Sequence, residues 1–311
     1  MKRILITGVS GFVGSNLASH FMGQDQFKVF GHSRRPDKLK DFADKLDVTF
    51  IEELSATQLD AFQIDTIIHT AGIAHDLSGN YKPEDYLRVN FEGTQFMYNE
   101  FLKSKAEKFF FISSVKAAAD VSLEPLEESV EARPVTDYGK SKLKAEAYIQ
   151  SMKQGEGKRF YIFRPCMIHG SGNKGNLNLL YRHVRTGLPF PLGAFHNQRS
   201  ILSIYNFNFV VQEFIQDDIG SGIFHLADEG FISSTELYQL IAVALNKTPR
   251  VWNLPEKWVN LMSKITGQSK SLQKLTEDFV VSNKKLLMSI QKPLPVNIKE
   301  GLLKTIRAFH E

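Results

Sequence analysis

Leu5-Ile6-Thr7-Gly8-Val9-Ser10-Gly11-Phe12-Val13-Gly14 decides the fold of this chain. Ile4 to Thr7 are apolar or β-branched and read as a short buried strand. Three glycines follow at three-residue spacing, Gly8, Gly11 and Gly14. Beyond them the period turns helical, with Val13, Leu17, Ala18, Phe21 and Met22 on one face. Strand, glycine turn and helix in that order form a phosphate-binding unit. The turn brings backbone close to a pyrophosphate, and the helix start offers it unpaired N–H groups and a positive dipole end. Glycines also mark ordinary tight turns, so the weight lies in the flanking strand and helix. The spacing is G-x-x-G-x-x-G, not the more familiar G-x-G-x-x-G.

Outward from this unit, strands and helices alternate. Lys28–Gly31, Val48–Ile51, Thr66–Gly72, Lys108–Ser114 and Arg159–Pro165 read as strands, the third running into a glycine turn and the fourth ending in hydroxyls. Ala56–Phe62, Pro83–Lys103 and Tyr138–Met152 read as helices, and Asp120–Asp137 as a polar loop. Phe109-Phe110-Phe111 suits a central parallel strand buried on both faces. The expected fold is α/β, a doubly wound, Rossmann-like parallel sheet with a smaller C-terminal substrate-binding lobe. Residues 1–165 form the dinucleotide-binding part and 166–311 the lobe, with room for later elements to return to the main sheet. In the lobe, helices are expected at Leu177–Thr186, Asn208–Gln216, Thr235–Asn246, Pro255–Thr266 and Ile298–Phe309, and strands at Ile201–Ile204 and Ile223–Leu226.

Bulk properties narrow the class. The chain has 311 residues, 42% hydrophobic and 23% charged, enough for a full core. A net charge of +4 without a long basic block argues against a nucleic-acid partner. One cysteine, Cys166, permits no intramolecular disulfide and reads as a small buried hydrophobe. No apolar run is long enough to span a bilayer, and the glycines interrupt the first apolar run, so no signal peptide is read. The expectation is a cytoplasmic protein without membrane insertion. The histidines show no metal-ligand spacing, and no metal site is expected.

Two places carry chemistry. Strand two ends in His32-Ser33-Arg34-Arg35, where a dinucleotide fold meets the adenosine ribose. An acid there bonds the ribose hydroxyls of NAD, whereas Arg accepts the 2′-phosphate of NADP. Ser33 and Arg34 fill the slot without an acid, so NADP(H) is favoured and NAD(H) stays open. Farther on, Tyr138 and Lys142 stand at i and i+4 on one helix face, and Ser113 and Ser114 end a buried strand. A tyrosine titrates near ~10, too high for easy proton exchange at neutral pH. A nearby ammonium and an oxidised nicotinamide both favour the phenolate. A serine hydroxyl can hold the reacting oxygen beside the phenol.

Taken together, Thr7–Gly14, Asn90-Phe91-Glu92-Gly93-Thr94, Ile112-Ser113-Ser114, Tyr138-Gly139-Lys140-Ser141-Lys142 and Arg164-Pro165 resemble the extended short-chain dehydrogenases/reductases. The resemblance is to the nucleotide-sugar branch that includes UDP-glucose 4-epimerase, where the three-glycine spacing is usual. It implies Tyr138 as acid/base, Lys142 as anchor of the nicotinamide ribose, and Ser114 as the hydroxyl at the substrate oxygen. It implies a cofactor site of Gly8, Gly11, Phe12, Val13, Gly14, Ser33, Arg34, Leu54, Ala71, Gly72, Ser113, Pro165, Tyr138 and Lys142, with Asn90 beside it. Ser113-Ser114-Val115-Lys116, Gly172–Leu177, Gly187–Gly193 and Asn197–Ser200 are similar to bacterial reductases of UDP-linked 4-keto-2-acetamido-6-deoxyhexoses. That similarity implies a nucleotide-sugar substrate held by Ser114, Lys116, Asn176 and Arg199. A departure stands at Ala117-Ala118-Ala119-Asp120, where relatives often read Val-Asn-Gly-Glu. The alternative activity is 4-epimerisation with NAD, in which no cofactor is consumed. A non-enzymatic dinucleotide sensor is disfavoured by the retained Tyr138 and Lys142. A homodimer through helices flanking the sheet is also implied.

Overall fold

The computed structural model describes residues 1–34, 49–74, 81–173, 176–265 and 269–309. The elements of the first part are β1 (Lys2–Thr7), α1 (Phe12–Phe21), β2 (Phe27–His32), β3 (Thr49–Phe50), α2 (Ala56–Ala61), β4 (Thr66–His69), α3 (Pro83–Tyr86), α4 (Gly93–Lys103), β5 (Lys108–Ile112), β6 (Ser122–Leu126), α5 (Asp137–Ser151) and β7 (Arg159–Pro165). There follow β8 (Met167–His169), α6 (Asn176–Thr186), β9 (Ile201–Ser203), α7 (Ile204–Gln216), β10 (Gly222–Leu226), α8 (Ser234–Ala244), α9 (Glu256–Ile265), α10 (Ser269–Thr276), β11 (Phe279–Val281), α11 (Lys284–Ile290) and α12 (Ile298–Ala308).

Seven described strands form the main sheet in the order β3-β2-β1-β4-β5-β7-β10, every pair parallel. This is the doubly wound α/β fold expected from the sequence. The order reverses at β1, so the crevice between the loops after β1 and β4 is the switch point where such sheets bind ligands. Register aligns that edge: Thr7 lies opposite His32 on one side and His69 on the other, and His69 lies opposite Phe111.

Alternation along the strands feeds a core on each face. Ile4, Ile6, Phe110 and Phe163 pack against Leu17 and Phe21 of α1 and Phe207, Val211 and Phe214 of α7. Leu5, Ile67, Phe109 and Phe111 pack against Met97, Tyr98 and Phe101 of α4 and Ala145 and Ile149 of α5. A third cluster joins Leu177 and Tyr181 of α6, Tyr238 and Ile241 of α8, and Leu302 and Ile306 of α12. Residues beyond 165 serve the first cluster through α7 and extend the main sheet through β10, whose Gly222–Leu226 pair with Tyr161–Pro165.

Three local features depart from the sequence expectations. The helix expected over Pro83–Lys103 contains a π-helical segment, Leu87–Glu92, that carries Asn90. The loop expected over Asp120–Asp137 contains β6, which pairs in parallel with β11 some 150 residues on. The segment Ser-Leu-Glu-Pro-Leu holds a proline and no clean alternation, so its strand state comes from the partner. The strand expected at Val48–Ile51 is the two residues of β3, and Val48 lies outside the described residues.

Candidate active site

The glycine turn is built by close approach. Gly8 takes φ +72°, and a Cβ there would sit 2.8 Å from the Cα and N of Ala71. A Cβ on Gly14 would overlap the Gly8 carbonyl oxygen and lie 2.8 Å from Val9 Cα. Gly11 caps α1 without any side-chain hydrogen bond, while its own N–H donates to Gly8 O at 2.9 Å. The first-turn N–H groups of Phe12, Val13 and Gly14 are thus left for an outside acceptor. A diphosphate fits that need, so the residues present suit a dinucleotide. Gly14→Ala is expected to force the turn apart and weaken dinucleotide binding at least about ten-fold, read by fluorescence titration.

At the end of β2, the Ser33 hydroxyl is 2.9 Å from that of Ser10, tying this slot to the glycine turn. Arg34 is exposed, and Arg35 lies outside the described residues. Burial lowers the His32 pKa, and the Arg34 charge adds to that shift. Leu54 follows β3 and packs on the second core cluster. Ala71 and Gly72 follow β4, and Pro165 ends β7.

Helix α5 brings the catalytic candidates together. Thr136 caps it by accepting from Gly139 N at 3.2 Å. A Cβ on Gly139 would overlap the Lys116 carbonyl oxygen, so glycine lets the helix press on the turn after β5. Tyr138, in the first turn of this helix, faces the same turn after β5, which begins with Ser114. Loss of hydration pushes the Tyr138 pKa up to about 12, the Ser114 hydrogen bond acting the other way. The Tyr86 ring stands edge-on to Tyr138 at 6.3 Å. Lys142 is 4% exposed, and its Nζ donates to Ile112 O at 2.8 Å. Burial lowers its pKa to about 8, with the Glu146 carboxylate acting upward.

Two of the predicted residues are spent inside the scaffold. Asn90, fully buried, accepts from Ile73 N at 2.8 Å and donates to Ile73 O and Ser141 Oγ at 3.0 Å. It pins the loop after β4 to α5, and Gly72 packs against it: a Cβ there would lie 2.9 Å from Asn90 Oδ1 and 3.3 Å from Lys142 Nζ. Ser113 donates to Glu146, which also receives Arg164 Nη2 at 2.6 Å and Nε at 3.1 Å. The ion pair is buried, with side chains 4% and 0% exposed. Glu146 escaped the sequence reading. The signal was there: Tyr138, Lys142 and Glu146 recur at four-residue spacing on one face of α5.

Of the residues predicted for substrate, Lys116 is held by Asp120, donating to its carbonyl at 2.7 Å and lying 3.3 Å from Oδ1. Asp120 ends the Ala117–Asp120 segment that departs from relatives, and its Oδ2 also accepts from Val135 N at 2.8 Å. Asn176 begins α6, and its side chain lies outside what is described. Arg199 donates to Glu277 O at 3.1 Å, and its backbone bridges Ile232 and Phe279. The Cys166 thiol is buried and its pKa raised by burial.

Known proteins share this architecture. A UDP-Glucuronic acid 4-epimerase from Bacillus cereus, solved with NAD, superposes with a TM-score of 0.78 over 99% of this chain and 98% of that one, at 17% identity. At that identity the likeness speaks for the fold. A UDP-glucose 4-epimerase of Vibrio cholerae is 29% identical over 99% of this chain and 95% of its own length. A UDP-2-acetamido-2,6-beta-L-arabino-hexul-4-ose reductase of Pseudomonas aeruginosa is 27% identical over 57% of this chain and 38% of its own length. Residues 4–204, which hold the glycine turn, Ser114, Tyr138 and Lys142, match the profile of the NAD dependent epimerase/dehydratase family. The chain therefore belongs to that family, and it is an NAD(P)-dependent enzyme of the extended short-chain dehydrogenase/reductase type.

Proposed function

We propose that the protein reduces the 4-keto group of a nucleotide sugar, a UDP-linked 2-acetamido-6-deoxyhexose, with NADPH. The observation that carries this reading is the end of β2, where Ser33 and Arg34 stand and no acid follows the strand among the described residues. When bound, the reduced nicotinamide supplies a hydride to the ketone carbon. The chain's own groups do the rest. The first turn of α1 holds the diphosphate, and the Arg34 guanidinium meets the 2′-phosphate. Ser114 holds the ketone oxygen, and Tyr138 gives it the proton that completes the alcohol. Burial keeps the phenol protonated at neutral pH, so the proton it gives is in place before the ketone oxygen arrives. Lys142 bonds the nicotinamide ribose. Asn90 and Ser113 act by fixing the loop after β4 and the Glu146 carboxylate.

Residues 166–311 supply the sugar-nucleotide lobe, with Asn176 and Arg199 toward the nucleotide and diphosphate. Lys116 reaches the sugar by exchanging its bond to Asp120. The test is stoichiometric oxidation of NADPH with a panel of UDP-4-keto sugars. A folded, NADPH-binding protein that turns none of them over overturns the reading. Arg34→Ala is expected to raise KM for NADPH about ten-fold or more while changing KM for NADH little, in steady-state assays.

The epimerase reading keeps the same residues and has its own support in the end-to-end match to the Vibrio cholerae enzyme. In it Tyr138 first takes the C4 hydroxyl proton and later returns it. Interconversion of UDP-sugars by purified protein without added cofactor would establish it instead.

A further inference from the structure

Helix α9 carries apolar side chains outward. Val259 turns into the third cluster, while Trp258, Leu261 and Ile265, at i, i+3 and i+7, share another face and are 62%, 50% and 77% exposed. Trp252, just before the helix, is 57% exposed. The chain has two tryptophans, and both stand in this short segment with most of their surface in water. Tryptophan is highly buried on average, so two exposed together ask for a reason. At about 100° per residue, Lys257 and Lys264 fall on one flank of the Trp258–Leu261–Ile265 stripe, and both are exposed. Over residues 255–275 the sequence has four lysines, Lys257, Lys264, Lys270 and Lys274, against one acid, Glu256.

We propose that α9 docks the enzyme on an anionic phospholipid bilayer, lying in the interface with its apolar stripe among the acyl chains. No described helix is long and apolar enough to cross a membrane, so the contact is peripheral. An apolar face edged by lysines, with tryptophans at its margin, is the pattern of an interfacial helix. Apolar burial supplies part of the affinity, and attraction of the lysines to anionic headgroups supplies the rest. A second copy of the chain fits the face less well. Ten residues of helix span about 15 Å, and one stripe of that length offers a few hundred Å2, below the roughly 800 Å2 per partner of a stable dimer. Two-fold pairing would also set the lysine edges against each other. The inference does not depend on which sugar or reaction the catalytic site serves.

The test uses the full chain with unilamellar vesicles. With about one third phosphatidylglycerol in phosphatidylcholine, the protein is expected to float with the vesicles and its tryptophan emission to shift to the blue. Pure phosphatidylcholine, or raised salt, is expected to weaken partition at least about ten-fold. Leu261→Gln with Ile265→Gln keeps both tryptophan reporters, alters exposed positions and is expected to abolish flotation. Absence of flotation by the wild type overturns the proposal, as does undiminished flotation of the variant. A concentration-dependent dimer that the variant abolishes in sedimentation also overturns it, in favour of self-association.

Discussion

Tyr138→Phe is expected to cut turnover about a thousand-fold while leaving the fold and NADPH affinity almost unchanged. Phenylalanine keeps the ring that packs edge-on to Tyr86 and removes the phenolic oxygen. The lost function is then proton delivery alone. The scaffold beneath stays intact, because Lys142 is anchored on Ile112 O and Asn90 on Ile73, neither through the phenol. Steady-state kinetics, an NADPH fluorescence titration and a melting curve separate the outcomes. A variant that keeps more than about a tenth of wild-type turnover shows that some other group moves the proton. A dinucleotide sensor would keep its binding and show no turnover to lose.

Glu146→Gln is expected to be the most destabilising conservative change in the site, costing about 3–5 kcal/mol. The substitution leaves the Arg164 guanidinium as an uncompensated charge among side chains that water does not reach, since the pair is 4% and 0% exposed. For a chain of this size that corresponds to a fall in Tm of roughly 10 °C. The pair also joins two layers, because Glu146 is on α5 and Arg164 on β7, and Ser113 at the end of β5 donates to the same carboxylate. Glu146→Gln combined with Arg164→Met removes both charges and keeps an acceptor for Ser113. The double variant is therefore expected to recover most of the lost stability in urea or thermal unfolding. A single-variant cost below about 1 kcal/mol would show that the pair does not hold α5 on the sheet.

The main sheet was legible because its signals are local. Phe109 to Phe111 lie in an apolar run that suits a doubly covered parallel strand, and Gly11 and Gly14 answer to contacts within one turn, whereas Gly8 answers to Ala71 on the loop after β4. Tyr138 and Lys142 were legible through helix geometry, and Ser114 through its place at a strand end. The β6–β11 pair was not legible, since each strand is short and one holds Pro125. Nor was the π-helical segment that turns Asn90 onto Ile73, because a single extra residue in a helix leaves the apolar period almost unchanged. Lys116 shows the limit in the site itself: its place beside Ser114 was read from sequence, but its bond to Asp120 depends on how the following loop closes.

By itself, then, the sequence determined the strand–glycine turn–helix unit, the alternating layers and the placing of Tyr138 and Lys142 on one helix face. All of these follow from backbone sterics and side-chain periods that span fewer than about twenty residues. Tertiary structure alone decided that Ser113 donates to Glu146, that burial pushes the Tyr138 pKa up, and that β10 closes the main sheet. Those outcomes depend on burial and on partners distant in the chain. Desolvation and long-range pairing have no counterpart in a local pattern.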